Sequence, residues 1–197
     1  MPEPLSRREQ KRIETRARIV RCAARAFAER GYEGVALEEV ADIADVSRRT
    51  LYNYFDSKES LLEAIVLPAF RTGMGATVRS AECGDPREGV RQAIEVFVVT
   101  WREHKDAMRV AFTLRGDQLP TQLAGESGAQ IGQMRRVFQR AAEAGWLIAD
   151  DPWLAQRSLW QTAATLLEIY DAHPQGEEVF RRAAEGMLLR RRARARA

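Results

Sequence analysis

Residues 36–58 read ALEEVADIADVSRRTLYNYFDSK, and this stretch decides the fold. Its first part, 37–44, repeats apolar residues at helical spacing and predicts a helix of about two turns. A tight turn follows at Asp45, a residue that adopts the left-handed conformation more readily than most. Next, the hydroxyl of Ser47 is positioned to cap a second, very short helix over 48–55. Two short helices joined by so short a turn predict a helix-turn-helix.

The second short helix is crowded with hydrogen-bond donors, which are Arg48, Arg49, Thr50, Tyr52, Asn53 and Tyr54. Arginine pairs with the edge of guanine and asparagine with that of adenine, while threonine and tyrosine hydroxyls bind phosphates. Leu51 and Phe55 lie four residues apart, so they share the face that anchors the helix to a core. Lys58 begins the next helix, where a cation and exposed amides both suit a phosphate. The run predicts a DNA-reading helix, although a solvated polar helix of an ordinary helical bundle has the same composition.

A long helix is predicted before this stretch, over 6–30. Its apolar stripe consists of Ile13, Ala17, Val20, Ala23, Ala24 and Phe27. Gly31 ends it, because glycine adopts left-handed backbone without steric cost. A basic N-terminal arm, 1–12, is expected to precede it with Arg7, Arg8, Lys11 and Arg12. This arm either adds phosphate or minor-groove contacts or is only a soluble tail.

The remainder of the chain lacks the alternating polarity of strands and is rich in Ala, Leu, Arg and Glu at helical spacing. We therefore predict an all-α fold of about nine helices. Beyond the helix-turn-helix they cover 58–79, 86–104, 105–115, 127–145, 152–172 and 176–192. Pro68 is expected to kink or distort the first of these.

Length and composition restrict the class of protein. A chain of 197 residues suffices for a small module and a larger domain, and for no more. It has no uninterrupted apolar run of the roughly 18 to 20 residues that a membrane span needs, so we expect a cytoplasmic protein. Neither the two cysteines nor the two histidines stand at catalytic or ligand spacing, so no catalytic residue, metal site or cofactor is predicted. The net charge of +3 is compatible with a polyanionic partner.

Residues 19–64 closely resemble the DNA-binding domain of the tetracycline-repressor (TetR) family. The resemblance rests on FAERGY at 27–32, VADIADVS at 40–47 and TLYNYFDSKE at 50–59. Carried over position by position, it implies that the residues that mainly hold the phosphate backbone are Thr50, Tyr52, Tyr54 and Lys58. The better candidates for base contacts are then Arg48, Arg49 and Asn53.

Three positions depart from the family's pattern. Asp45 stands where glycine is usual in the turn, and the turn should survive because Asp tolerates left-handed geometry. Ala36 stands where a serine or threonine commonly caps the first short helix and touches phosphate, so we expect that cap to be missing, at a cost of ~1 kcal/mol. Arg49 replaces a small residue and is expected to add a base or phosphate contact.

The resemblance also implies a domain organisation. It gives a DNA-binding domain over 13–73, with its helix-turn-helix at about 36–55, an effector-binding and dimerisation domain over 74–192, and an Arg-rich tail at 193–197. The residues expected to line an apolar effector pocket are Trp101, Met108, Phe112, Met134 and Phe138. Those expected to pair with a second copy are Trp160, Ala163, Leu167, Phe180, Ala184 and Met187. Plain core packing explains both sets equally well.

The function implied is that of a homodimeric repressor that reads an inverted-repeat operator in double-stranded DNA. A hydrophobic small-molecule effector is expected to release it by changing the separation of the two recognition helices. An activator, or a regulator controlled by a partner protein, has the same sequence features. An all-α enzyme with a carboxylate site is the more remote alternative.

Overall fold

The computed structural model describes residues 6–114 and 121–190. Over these residues the chain forms eight helices and no β-strand, which confirms the predicted all-α fold. The helices are α1 (Arg7–Arg30), α2 (Leu37–Ile43), α3 (Arg48–Tyr52), α4 (Lys58–Glu82), α5 (Pro86–Thr113), α6 (Thr121–Glu143), α7 (Pro152–Ile169) and α8 (Gly176–Leu188). The predicted tail at 193–197 lies outside the described residues.

The chain divides into two compact units. One consists of 1–69 with 106–124, and the other of 70–105 with 125–197. The first unit therefore holds the helix-turn-helix together with the second half of α5, which the sequence assigns to the other domain. The predicted boundary at 73/74 lies four residues after the division within α4, which follows Ala69.

A bend in α5 accounts for the predicted count of about nine helices. His104 has φ −137° and ψ 42°, which is not helical, at the residue where the sequence predicts one helix to end and another to begin. Its ring Nε2 lies 2.9 Å from the hydroxyl of Thr72 on α4. The bend is therefore fixed by a contact inside the second unit.

Helix α1 begins at Arg7, in agreement with the predicted helix over 6–30 and within the arm predicted over 1–12. Ser6 caps it by accepting from the backbone N–H of Glu9 at 3.3 Å, and the Glu9 carboxylate accepts from the N–H of Ser6 at 2.9 Å. This reciprocal pair satisfies two orphan donors and starts the helix at Arg7. The prediction that Arg7, Arg8, Lys11 and Arg12 precede the helix is therefore wrong: they lie exposed on its first two turns.

Two other helix ends differ from the predicted ones. Helix α3 stops at Tyr52 and not at Phe55, and just beyond its end the N–H of Tyr54 donates to the carbonyl of Leu51 at 2.9 Å, three residues back and not the four of an α-helix. Helix α6 starts at Thr121, six residues before the predicted start at Ser127. Helix α4 continues through Pro68 to Glu82.

Helix α4 is the one described helix long and apolar enough to cross a membrane, judged by length and composition alone. Its mean hydropathy over the best window is 1.3. In the first unit it buries Leu61, Leu62, Ile65, Val66 and Ala69. These side chains are part of a protein core, which is the ordinary reason for so apolar a helix.

The second unit packs α7 against α8. Their facing side chains are Ala155, Leu159, Ala163 and Leu167 on α7, and Phe180, Ala184 and Leu188 on α8, all buried within one chain. The predicted interface residues Ala163, Leu167, Phe180 and Ala184 are 0–3% exposed, so they are covered by their own protomer. Placing them against a second copy is therefore wrong.

The other two predicted interface residues differ from these four. Trp160 is half-buried and packs edge to face on Phe97 of its own chain, with ring centroids 5.9 Å apart. Met187 is 38% exposed. The exposed apolar side chains on these helices are instead Trp153, Leu154, Ile169 and Met187.

Ion pairs join α5 to α8 on the polar side of the second unit. Arg181 binds Glu95 through two nitrogens and reaches Glu177 at 3.2 Å, and Glu177 also accepts from Arg102 at 2.6 Å. The side chains are partly exposed, so water screens each pair and each contributes little alone. Together they fix which face of α8 meets α5.

The five predicted pocket residues are divided between the units. Trp101, Met134 and Phe138 are buried in the second unit, whereas Met108 and Phe112 belong to the first. The structure thus keeps three of them in one core, where Trp101 also donates to Asp171 at 3.1 Å.

The turn of the helix-turn-helix has the backbone that the sequence predicts. Asp45 has φ 50°, and it is the one non-glycine residue of the described chain with positive φ. The N–H of Val46 donates to the carbonyl of Ala41 at 3.0 Å, which closes the end of α2. Left-handed backbone costs an L-residue about 1–2 kcal/mol, and Asp is among the residues that tolerate it.

We expect Asp45→Val to lower the free energy of unfolding by about 1–2 kcal/mol, because a β-branched side chain clashes with its own backbone at positive φ. Urea denaturation followed by circular dichroism measures this change. Asp45→Gly is the matched control, since it removes the same exposed carboxylate and fits the turn. Equal losses in both variants would show that the carboxylate, not the backbone conformation, matters.

Helix α2 begins with half of a capping pair. Glu39 accepts from the backbone N–H of Ala36 at 2.7 Å and pairs with Arg30 at 3.2 Å. These two partners hold the pKa of Glu39 below its ordinary value. Alanine has no acceptor, so the N–H of Glu39 lacks the reciprocal bond, and the predicted missing cap is confirmed.

Ala36→Ser should raise the free energy of unfolding by about 1 kcal/mol, because its hydroxyl would complete the capping pair with Glu39. The backbone at Ala36, with φ −79° and ψ 152°, already suits a cap. Thermal or urea denaturation tests the change, with Ser47→Ala as the opposite control. A variant no more stable than the original protein would mean that Glu39 alone suffices to start α2.

Candidate nucleic-acid interface

Two buried side chains attach the segment of α3 to the core. Leu51 and Phe55 are 0% and 3% exposed, and they fix the helix to the core of the first unit. The guanidinium of Arg16 on α1 stacks over the Phe55 ring, 5.1 Å from its centroid. Ser47 caps α3 by accepting from the N–H of Thr50 at 3.0 Å. A helix of five residues is stable here because of these tertiary contacts, not because of its own length.

The six predicted donors lie on α3 and on the two residues that follow it, Asn53 and Tyr54. Arg48, Arg49, Tyr52 and Asn53 are exposed, and Thr50 and Tyr54 are half-buried. The Thr50 hydroxyl shares a 2.8 Å hydrogen bond with that of Ser47, so it is oriented by the cap. The structure thus brings all six predicted donors of this helix onto one short, anchored segment.

Lys58 stands on an aromatic platform that the sequence analysis did not identify. Its ammonium lies 4.3 Å from the ring centroid of Tyr32 and 5.9 Å from that of Phe27. The two rings meet edge to face at 5.4 Å. Burial, followed by the charges of Glu59 and Glu33, raises the pKa of Tyr32 to about 12, so the ring stays neutral beneath the cation. Cation–π contact therefore orients the Lys58 ammonium at the start of α4.

The start of α4 is itself well capped. The hydroxyl of Ser57 accepts from the N–H of Ser60 at 3.1 Å, and the Ser60 hydroxyl accepts from the N–H of Ser57 at 3.2 Å. Lys58 is thus the first residue of a fixed helix end. Helix starts and cations both attract phosphate oxygens.

Glu38 is a second residue that the sequence analysis missed. It lies on the first turn of α2, and its Oε1 accepts from the Tyr52 hydroxyl at 2.9 Å. Its own backbone N–H, then the Tyr52 hydroxyl and then the charge of Arg48 lower the pKa of Glu38. A carboxylate therefore sits among the exposed cations and donors of α3. The two residues are fourteen positions apart, so only the fold reveals their contact.

A groove of about 610 Å³ lies elsewhere in the first unit, between α1 and α2. Its lining includes Arg18, Arg21, Cys22, Arg25, Arg30, Glu39, Asp42 and Asp106. The residues predicted to line an effector pocket are not among those that line this groove. The opposed charges of its walls distinguish it from the cationic surface of α3.

Comparison with known proteins identifies the first unit. Residues 19–65 match the family model described as bacterial regulatory proteins, tetR family. This range contains α2, α3 and the platform under Lys58, and it agrees with the segment on which the sequence resemblance rests.

Curated relatives extend the match beyond this domain. An uncharacterized HTH-type transcriptional regulator of Mycobacterium tuberculosis is 33% identical over 141 residues, 71% of this chain and 66% of the relative. The HTH-type transcriptional repressor KstR2 of Rhodococcus jostii is 28% identical over 124 residues, 63% of this chain and 59% of that protein. The chain thus matches just under two thirds of the length of the relative from Mycobacterium tuberculosis.

Solved structures share the fold over most of the chain. The crystal structure of AibR in complex with isovaleryl coenzyme A and operator DNA has a TM-score of 0.68 and 22% identity, covering 88% of this chain and 97% of that one. The curated relatives are described as transcriptional regulators, which agrees with the prediction that the chain is not an enzyme. Residues 19–65 of the chain belong to the TetR family of bacterial transcriptional regulators.

Proposed function

We propose that the chain is a sequence-specific DNA-binding repressor that acts as a homodimer on an inverted-repeat operator. The observation that carries this proposal is the construction of α3. Its apolar side, Leu51 and Phe55, is buried, and its polar side offers Arg48, Arg49 and Asn53 to the solvent. A helix of this kind fits the major groove, where arginine and asparagine distinguish base pairs.

The proposed contacts divide into two classes. Arg48, Arg49 and Asn53 read base edges, because the two arginines are exposed on α3, Asn53 is exposed at its C-cap, and all three can pair bidentately. The residues that bind phosphates are Thr50, Tyr52, Tyr54 and Lys58. The oriented ammonium of Lys58 supports its assignment, since an exposed lysine without a platform would lose more side-chain entropy on binding.

Arg48→Ala and Asn53→Ala should each weaken operator binding by about 1–3 kcal/mol and relax the preference at one base position. Fluorescence anisotropy titrations on the operator and on random-sequence duplexes measure both effects. Lys58→Ala is the contrasting variant, because loss of a phosphate contact weakens both duplexes alike and reduces the salt slope by about one. Equal losses on both duplexes for Arg48→Ala and Asn53→Ala would remove their base-reading role.

The dimer is proposed to form on the exposed side of α7 and α8. Ile169 is 66% exposed and Met187 38%, and the small residues Ala183 and Gly186 are exposed beside Met187 on α8. Small residues let helices approach closely, and exposed apolar side chains gain free energy from burial. This surface replaces the buried residues that the sequence analysis selected.

Ile169→Asp should convert the dimer into monomers, because a charge would be buried in an apolar interface. Sedimentation velocity measures the molecular mass. Ile13→Asp is the control, since Ile13 is 54% exposed on α1 in the other unit and carries the same charge change. A dimer that survives Ile169→Asp would assign the interface to another surface.

Control by a small molecule is the remaining element of the proposal. The relative crystallised with isovaleryl coenzyme A and operator DNA supports the view that one chain of this fold serves both ligands. The buried Trp101, Met134 and Phe138 favour an apolar effector for this chain, within the second unit. Such a ligand releases operator only if it prefers the non-binding conformation by about 1–3 kcal/mol.

A promoter–reporter assay in the cytoplasm of a bacterial host tests the sign of regulation. Repression predicts that reporter output falls when the protein is supplied and recovers when an effector is added. A rise in output on supplying the protein would make it an activator.

A further inference from the structure

The DNA-facing surface contains an anion that the phosphate and base contacts leave unused. Glu38 on α2 accepts from Tyr52 at 2.9 Å, beside the exposed arginines of α3. A free carboxylate on a surface that meets polyanionic DNA repels phosphates, and phosphates supply nearly all of the attraction to random DNA.

Glu38 and a DNA phosphate compete for one proton, that of the Tyr52 hydroxyl. The Tyr52 hydroxyl has one hydrogen to donate, and the Glu38 carboxylate accepts it in the protein without DNA. Tyr52 can donate to a phosphate only after this bond is broken. Every duplex, whatever its sequence, therefore meets a Tyr52 that is already occupied and a carboxylate that must be moved or compensated.

In the major groove, a base at the right position can compensate the negative charge of Glu38. A carboxylate accepts hydrogen bonds from the N4 amine of cytosine, an exposed donor there. Glu38 lies on the same surface as Arg48, whose charge reaches its carboxylate. A duplex with such an amine at the right position satisfies the released carboxylate, and a random duplex does not.

We propose that Glu38 is a specificity-determining residue, which opposes binding to all DNA and is compensated by a base amine only at the operator. This inference rests on the proposed function, because it requires α3 to read DNA. Glu38 does not raise operator affinity under this scheme. It raises the ratio of operator binding to random binding.

The test is Glu38→Gln, which keeps an oxygen able to accept from Tyr52 but removes the charge. We expect binding to random duplex to strengthen by about three- to tenfold, and operator binding to strengthen by a smaller factor or to stay unchanged. The specificity ratio then falls. Anisotropy titrations on both duplexes at one salt concentration measure it, with thermal denaturation to show that α2 remains folded.

Glu29→Gln is the matched control, since it makes the same chemical change at an exposed glutamate that lines the groove between α1 and α2. It should leave the ratio unchanged. If Glu38→Gln strengthened binding to both duplexes equally, the proposal would be overturned, because Glu38 would then repel all DNA alike and would not affect specificity. No strengthening on random duplex would overturn it by showing that Glu38 does not oppose phosphate.

A second variant tests the competition for the Tyr52 proton. Glu38→Gln keeps an acceptor for Tyr52, whereas Glu38→Ala also frees its hydroxyl. Glu38→Ala should therefore strengthen random binding by a smaller factor in a Tyr52→Phe background, where no hydroxyl is present, than in the unmodified protein. The same factor in both backgrounds would remove the competition from the account. The unmodified protein distinguishes the proposed function from the proposed role of Glu38. If it binds no operator more tightly than random duplex, the proposed function fails before Glu38 is tested.

Discussion

The attachment of α3 to its core is the constraint on which the rest of the interface depends. Five residues cannot form a stable helix alone, because nucleation costs more than so few hydrogen bonds return. Burial of Leu51 and Phe55 supplies the missing free energy, and the left-handed turn at Asp45 sets the direction in which the helix leaves α2. With these fixed, every other residue of α3 is free to be polar. That freedom is what allows one short segment to carry so many hydrogen-bond donors.

Charge on this surface is balanced and not simply positive. Lys58 is oriented by Tyr32 and Phe27, while Glu38 holds the Tyr52 hydroxyl. A surface made of cations alone would bind any DNA, and selectivity needs an element that random DNA cannot satisfy. The neighbouring carboxylate and tyrosine provide such an element, in the same few residues that supply affinity.

Local patterns predicted the parts of the fold that depend on local chemistry. The turn at Asp45, the Ser47 cap and the absent cap at Ala36 all follow from neighbouring residues, and the structure agrees with each. The start of α1 has the same kind of signal, since Ser6 and Glu9 form a capping pair, and the predicted helix over 6–30 agrees with the structure, whereas the arm predicted over 1–12 overlaps this helix.

Such local patterns could not predict contacts between residues that are distant in the sequence. Apolar spacing identifies the inner face of α7 and α8 but not the partner that covers it, and the structure covers Leu167 and Phe180 with their own chain. The Lys58 platform and the Glu38–Tyr52 bond likewise join residues that are distant in the sequence. These are tertiary contacts, which no periodicity encodes.

The most direct test of the account is selection of bound sequences from a pool of random duplexes with the purified protein, read by sequencing. A dimer with one anchored reading helix in each protomer predicts an inverted repeat, with half-sites separated by about one helical turn of DNA or a multiple of it. Recovery of a single unrepeated site would contradict the dimeric arrangement. Recovery of no enriched sequence at low salt would contradict the central claim that α3 reads DNA.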